Sequence, residues 1–471
     1  MERIGTEHEL GVLVATEVAA DEDPWALEAS LEELAALAAS AGVTVVGRLT
    51  QRLDRVHPAT YVGTGKVGEV RDAALDLNAE VALFDRELSP RQQRNLERAL
   101  GIKVIDRTAL ILDVFAQHAR TREGMLQVEL AQWEYRLPRL TRMWTHLARQ
   151  AGGRAGGAAG GVGVRGPGET QIELDRREIR RRIRTLDREI EALRGQRRQS
   201  RRQRRRSGLP GVSLVGYTNA GKSTLLNGLT QADVYTADQL FATLDPTTRR
   251  VHLPSGRVAL MSDTVGFIQK LPTQLVASFR ATLEEIVEAD LLLHVVDVTH
   301  PDAVQQAETV ELVLRQLGMV DPPMVVAANK LDLLPGFGVS EAAREGLSGR
   351  APAGEVEWAG GEPAELAAVR EVYPDLVAVS ARLGAGFGAL LAAIERELDE
   401  RLIPVEVLVP YAAAALLQQV HTRGVVDEEL FEEGGIRVRA RVPTALLGSL
   451  GDYVVPGPPA TSSAVDGAGP D

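Results

Sequence analysis

To hold a nucleoside triphosphate, a chain needs backbone amides turned toward one phosphate, a cation for the outer phosphates, hard oxygens for a metal ion and a group that reads the base. Residues Gly216, Tyr217, Thr218, Asn219, Ala220, Gly221, Lys222 and Ser223 meet the first three demands at the spacing of a phosphate loop. The two glycines let successive N–H groups point inward, and a helix opening at Lys222 adds its positive end. Lys222 is placed to bridge the β- and γ-phosphates, and the Ser223 hydroxyl is a hard ligand suited to Mg2+. Asp263, Thr264, Val265 and Gly266 follow in the order a switch requires. The Asp263 carboxylate would hold a metal-bound water and the Gly266 amide would meet the γ-phosphate, so that loss of the phosphate frees the loop behind it. Between these elements lies Phe241-Ala242-Thr243-Leu244-Asp245, where order asks for a second Mg2+ hydroxyl; Thr243 fills that place and Thr247 competes for it.

The base is read by Asn329, Lys330, Leu331 and Asp332. Asp332 can accept from both N1–H and the 2-amino group of guanine, whereas adenine offers neither donor and leaves a buried charge unpaired. Unmet polar groups of that kind discriminate by roughly 10^4-fold. Asn329 and Lys330 brace the ring and the loop, and the backbone around Ser380, Ala381 and Arg382 can reach guanine O6. A Ser-Ala pair is ordinarily a strand end and a lone Thr a turn former; their place in the series gives them meaning. The series implies a Mg2+-dependent GTPase cycling between GTP and GDP, with Lys222, Thr243, Asp263 and Gly266 serving hydrolysis. Position 267 is Phe, where many regulatory GTPases carry a Gln that orients the attacking water. Phe267 cannot polarise water, which implies slow intrinsic hydrolysis that a partner accelerates.

These loops need strands and helices to position them. A chain of 471 residues, 44% hydrophobic and 25% charged, has room for two to four soluble domains, and with aromatics at 4% the cores rest on Leu, Val, Ala and Ile. There is no Cys, which excludes disulfides, thiolate zinc sites and thiol catalysis and fits a reducing cytoplasm. The charged start Met1-Glu2-Arg3 and the lack of any run of about eighteen apolar residues predict a cytosolic protein without membrane insertion. Net charge is -12, yet Asp175 to Arg206 carries fifteen Arg against five acids, so +10 is concentrated there and -22 is spread over the rest.

Along the chain, apolar stretches at Leu10–Thr16, Thr44–Leu49 and Glu80–Asp85 alternate with helical ones at Ala26–Ala41 and Arg91–Leu100, which reads as a small α/β domain. Gly63-Thr64-Gly65-Lys66 lacks the hydroxyl residue a phosphate loop needs next and reads as a turn opening a helix from Val67. From Met125 to Leu147 the pattern is an amphipathic helix interrupted at Pro138, and Ile179, Ile183, Leu186, Ile190 and Leu193 make a narrow heptad seam. The two predict an antiparallel hairpin whose tip is the glycine-rich stretch Gly152–Gly168, too costly in entropy to order alone. A basic helix face such as Arg176, Arg180 and Arg181 is ordinarily solvated; beside a tip carrying Arg154 and Arg165 it equally suits RNA phosphates, and both readings stand. Strands at Val212–Val215, Val258–Met261, Leu291–Val296, Met324–Ala328 and Leu376–Val379 each lead into a motif or loop, as in an open, mostly parallel α/β sheet. Residues 336 to 366 read as an irregular insertion. The expected division is 1–118, an α/β domain; 119–207, the hairpin; 208–402, the nucleotide domain; 403–456, a small α+β domain; and 457–471, a disordered tail.

Gly166-Pro167-Gly168-Glu169-Thr170-Gln171 with Asp175-Arg176-Arg177, together with Phe241-Ala242-Thr243-Leu244-Asp245-Pro246-Thr247-Thr248-Arg249 and Asp263-Thr264-Val265-Gly266-Phe267, resembles the HflX family of ribosome-associated GTPases. The resemblance covers nearly the whole chain through residue 400. It implies a P-loop GTPase domain of the translation-factor-related class, preceded by an α/β domain with a helical hairpin and followed by a small domain. It also implies binding to the large ribosomal subunit and its RNA, and splitting of stalled ribosomes under stress. In some GTPases of that class an Asn placed like Asn219 ligates K+. The glycine tip departs from the pattern by extra Gly, Ala and Arg around 154–161, which lengthen it. An RNA-binding scaffold with a structural nucleotide site, or a GTPase of large-subunit maturation, are the alternatives; in each the chain is expected to act as a monomer.

Overall fold

Short runs of Val, Leu and Ala alternating with amphipathic helices build parallel sheets covered on both faces. The computed structural model describes residues 9–19, 25–140, 167–230, 241, 247–270, 280–339, 356–359 and 361–455. The first such pattern gives β1 (Glu9–Val18), α1 (Leu27–Ser40), β2 (Val43–Leu53), α2 (Thr64–Asp76), β3 (Val81–Phe84), α3 (Pro90–Leu100), β4 (Lys103–Asp106) and α4 (Arg107–His118). The strands pair in parallel in the order β2-β1-β3-β4. Alternation along β1 sends Leu13 and Ala15 to a core with Leu31, Leu34 and Leu37 of α1, and Val12 and Val14 to one with Val67 and Val70 of α2. Local chemistry sets the helix ends: the Ser89 hydroxyl accepts from Gln92 N–H with Pro90 in the first turn, and Gly101, at φ 75, closes α3. Gly63 caps α2, so the helix expected from Val67 begins at Thr64, and Thr64, Gly65 and Lys66 form its first turn instead of a separate turn.

Beyond this sheet, α5 (Arg122–Arg136) packs on the long α6 (Pro167–Ser207). Leu126, Leu130, Leu186 and Ile190 form the buried seam between them. The ion pairs Arg122–Glu189 and Arg182–Glu129 advance in opposite sequence directions, so the two helices run antiparallel. Most of the glycine-rich stretch expected to join them, with Arg154 and Arg165, falls in residues 141–166, outside the described residues, as do residues 456–471; Pro167 and Gly168, expected in the tip, belong to α6.

Gly208, at φ 68, ends α6, and a second α/β pattern follows: β5 (Gly211–Gly216), α7 (Lys222–Thr230), β6 (Thr247–His252), β7 (Val258–Asp263), α8 (Arg280–Val287), β8 (Leu291–Asp297), α9 (Ala303–Gln316), β9 (Met324–Asn329), β10 (Phe337–Val339), β11 (Val356–Trp358), α10 (Ala364–Val372), β12 (Val377–Ala378) and α11 (Phe387–Asp399). The sheet order is β12-β9-β8-β5-β7-β6, parallel except for the edge strand β6. Two features differ from expectation. β6 was not anticipated, because its register is set by β7 rather than by its own polar sequence. The stretch read as an irregular insertion contains the antiparallel pair β10–β11, closed by Phe337 on Trp358. The chain then forms β13 (Ile403–Val409), α12 (Ala414–Arg423), β14 (Val425–Glu432), β15 (Gly435–Val442) and α13 (Thr444–Leu450), with an antiparallel sheet ordered β13-β15-β14. No helix among the described residues is long and apolar enough to cross a membrane.

The cores of the two parallel sheets are continuous. One buried cluster runs from Leu13, Leu34 and Phe115 to Phe241, Val265, Phe267 and Ile268, and the Phe115 and Phe241 rings meet edge to face at 4.5 Å. Loops of the second sheet are therefore packed against the first. Leu186 is fully buried where α6 meets α5. Leu186→Ala is expected to cost about 2–5 kcal/mol locally, seen as faster amide hydrogen exchange in α5 and α6 while β8 keeps its protection; unchanged exchange in both helices would show that the seam does not hold them.

Candidate active site

β5 delivers the chain to Gly216, at φ +150, where an added Cβ would lie 2.3 Å from the Val295 carbonyl oxygen on β8. Only glycine lets the strand end so close to its neighbour. Asn219 sits in the left-handed region at φ 61, a conformation Asn tolerates. Gly221, at φ +92, leaves room for the Asn329 amide, which an added Cβ would meet at 2.3 Å. The loop closes onto α7 with Lys222 in its first turn. There the Lys222 Nζ donates to the carbonyls of Gly216 at 3.1 Å and Tyr217 at 2.7 Å. Burial pushes the Lys222 amine down to about 8, while the charge of Asp263 pulls it up.

Next to it, the Ser223 hydroxyl donates to Asp263 Oδ2 at 2.5 Å. Asp263 ends β7, and the Thr264 hydroxyl donates to the Leu214 carbonyl at 2.5 Å, fixing the turn that follows. An added Cβ on Gly266 would meet Thr218 Cα at 2.8 Å and Lys222 Nζ at 3.0 Å, so this glycine lies directly against the phosphate loop. Phe267 is bound to the same loop by its backbone: its N–H donates to Gly216 O at 3.1 Å and its carbonyl accepts from Thr218 N–H at 2.7 Å. Its ring is buried in the core.

Asn329 ends β9 and joins two loops, donating from Nδ2 to Ala220 O at 2.8 Å and accepting at Oδ1 from Ala381 N–H at 2.9 Å. Lys330 turns through φ 68 and pairs with Asp297 at 2.6 Å, while Leu331 is buried. Asp332 Oδ1 accepts from the buried Ser380 hydroxyl at 2.6 Å, and that hydroxyl oxygen accepts from Leu383 N–H at 3.2 Å. Arg382 is exposed beside them. The segments 216–223, 263–266, 329–332 and 380–382 thus gather at the carboxyl ends of parallel strands, where an open α/β sheet binds its ligand.

Of the remaining expected residues, Phe241 is buried, whereas Ala242, Thr243, Leu244 and Asp245 lie outside the described residues. Thr247, the competitor of Thr243, begins β6 in register with Asp263. On α6, Arg180 and Arg181 are exposed and Arg176 is half-buried. The paired hard oxygens of Ser223 and Asp263 suit Mg2+, which keeps several waters and completes its shell with phosphate oxygens. Among the described residues no group of three or more His, Cys, Asp and Glu could form a cage by protein ligands alone.

Several contributors were not legible as motifs. Asp297, which holds Lys330, also accepts from the Thr299 N–H at 3.0 Å; its position at the end of a buried strand was the available signal. From the first sheet, Glu33 accepts from the Tyr217 hydroxyl and from the Arg107 guanidinium. Arg107 also donates to Asp85 at 2.7 Å, and Lys270 donates to Asp85 at 2.6 Å. Glu33 lies between Leu31 and Leu34 on a helix, a pattern with nothing to mark it as more than a solvated acid.

A sheet of this topology, with a glycine-bounded loop ending in Lys-Ser and an Asn-Lys-Leu-Asp element beside it, defines a P-loop GTPase. Comparison with known proteins agrees. Family models described as GTP-binding GTPase N-terminal, GTP-binding GTPase Middle Region and 50S ribosome-binding GTPase match residues 28–116, 118–204 and 211–330. The GTPase HflX of Caldanaerobacter subterraneus subsp. tengcongensis is 43% identical over 97% of this chain and 96% of its own length. That of Escherichia coli K12 is 42% identical over 88% of this chain and 89% of its own. Among solved structures, a GTP-binding protein of Sulfolobus solfataricus in complex with GDP aligns over 83% of this chain and 99% of its own, at 22% identity and a TM-score of 0.41. The chain belongs to the HflX family of GTPases.

Because the folded Lys222 amine titrates near 8 against 10.5 for the free side chain, burial of its charge opposes folding fully below pH 8 and ceases to do so as pH rises through 10.5. In the nucleotide-free protein with a chelator present, Lys222→Met is expected to raise the thermal midpoint at pH 7, with the gain shrinking toward pH 10.5. A difference independent of pH would contradict the assignment.

Proposed function

We propose that residues 216–223 cradle the phosphates of GTP, that Asp332 reads guanine, and that the arrival and loss of the γ-phosphate rearrange the loops around Thr243 and Gly266 to drive ribosome engagement. The observation that carries this reading is the Asn329 amide, which couples the phosphate loop to the Ser380–Ala381 loop at 2.8 and 2.9 Å. Lys222 reaches the β- and γ-phosphates, the Gly266 N–H receives the γ-phosphate, and Ser223 and Thr243, with Asp263 beside them, would hold Mg2+. Mg2+ would neutralise phosphate charge. Asn219 is the chain's candidate for K+. In hydrolysis, water adds to the γ-phosphorus as the bond to the β-bridging oxygen breaks, giving GDP and phosphate. Since Phe267 is buried, the group that orients this water comes from the partner.

The partner is the large ribosomal subunit, as the description of the matching family model suggests for its members. In this reading α5 and α6 are the arms of the 119–207 hairpin, which carries the glycine-arginine tip and the exposed Arg180 and Arg181 to ribosomal RNA, between the 1–118 and 208–402 domains. The outcome is separation of stalled ribosomes into subunits, followed by release of the factor after hydrolysis.

The test is sedimentation of intact ribosomes after adding the protein with GTP or a non-hydrolysable analogue. Separated subunits are expected; binding only to free or immature particles would assign it to maturation instead. Lys222→Ala should lose nucleotide binding and splitting together. Asp332→Asn should weaken GTP by about 3 kcal/mol, roughly a hundredfold, from two charge-assisted hydrogen bonds, measured by calorimetry; unchanged affinity would remove Asp332 from the base site. Deleting residues 154–168 should spare GTP binding and weaken ribosome affinity, and unaltered affinity would refute the role of the tip.

A further inference from the structure

We propose that Tyr217 is a positioning residue for GTP hydrolysis: its hydroxyl holds the backbone of residues 266–269 against the phosphate loop, and Glu33 on α1 holds the hydroxyl. The proposal rests on reading 216–223 as the phosphate loop.

Tyr217 is 4% exposed, and its hydroxyl makes two contacts in opposite senses. It accepts from the Gln269 N–H at 2.8 Å and donates to the Glu33 carboxylate. Burial pushes the phenol's pKa up, so the proton that Glu33 receives stays on oxygen. The ring lies 6.1 Å from that of Trp25, another residue of the first sheet's unit. With the two backbone bonds of Phe267 to Gly216 and Thr218, the bond from the Gln269 N–H to the Tyr217 hydroxyl makes three tethers between the phosphate loop and the segment that begins at Gly266. A fourth constraint lies just beyond: Lys270, at φ 51, donates to Asp85 at 2.6 Å and to the Ser30 hydroxyl at 2.7 Å.

The chemistry explains why such tethers would matter. With Phe at 267, no side chain at that position can orient water, and intrinsic hydrolysis depends on how well backbone groups such as the Gly266 N–H are held before the reaction starts. A phosphate-loop side chain that grips the same segment fixes that geometry at its source. Glu33 extends the constraint to the first sheet, since its other oxygen accepts from Arg107, which in turn pairs with Asp85. The hydroxyl is therefore where the first sheet and both loops meet.

The experiment is single-turnover GTP hydrolysis by the full chain without ribosomes, alongside GDP and GTP affinities. Tyr217→Phe is expected to hydrolyse bound GTP about tenfold more slowly, the rate equivalent of one lost hydrogen bond to a preorganised group, with nucleotide affinity unchanged and faster exchange at the Gln269 amide. Glu33→Gln should slow hydrolysis less, and the double variant should be no slower than Tyr217→Phe alone, because both act through one hydroxyl. A wild-type or faster rate in Tyr217→Phe, or additive losses in the double variant, would overturn the proposal. If Tyr217→Phe loses affinity and thermal stability together, Glu33→Gln decides, and a wild-type rate there overturns it. Failure of the unaltered chain to bind GTP would instead sink the nucleotide reading beneath it.

Discussion

Everything at the candidate site depends on one side-chain amide. Asn329 donates to the Ala220 carbonyl and accepts from the Ala381 N–H, so three segments far apart in sequence are held at fixed separation. A carboxylate in its place would lose the donor, and a shorter side chain would reach neither partner. Gly221 completes the arrangement, because any Cβ there would occupy the position of the Asn329 nitrogen. The 216–223 loop and the 380–382 loop are thus joined through one side chain by hydrogen bonding.

The second constraint is the continuity between the first sheet and the segments around Phe241 and Val265–Ile268. Phe241, Val265, Phe267 and Ile268 bury their side chains in a cluster shared with Leu34 and Phe115. At its edge, Glu33, Arg107, Asp85 and Lys270 form a chain of buried or half-buried ions. Removing one partner from such a chain strands a charge and typically costs 3–5 kcal/mol. The segment after Gly266 can move only by breaking contacts with the first sheet. In the proposed mechanism that coupling transmits nucleotide state to the parts that meet RNA.

Much of the second sheet was legible because its buried strands are mostly Val, Leu and Ala, broken only by single residues such as Ser213 and His294, and end in loop residues with special chemistry. β4 and α4 escaped notice: Lys103–Asp106 is a short strand, and the helix after it is apolar on several sides because it packs on both α1 and α5. β6, Thr247–His252, is polar at every position but Val251 and becomes a strand only by pairing with β7. At the site, glycine, lysine and carboxylate positions announced themselves by spacing. Asp297, Glu33 and the Tyr217 hydroxyl did not, since their meaning lies in partners that only tertiary structure supplies. The Phe267 ring is buried, and its backbone contacts with Gly216 and Thr218 have no sequence signature.

The central claim is that a carboxylate in this pocket selects the purine. Isothermal titration of the nucleotide-free protein with GDP, GTP and ATP in Mg2+ tests it most directly. The account expects both guanine nucleotides to bind and ATP to be weaker by about four orders of magnitude; comparable affinities for ATP and GTP would contradict it.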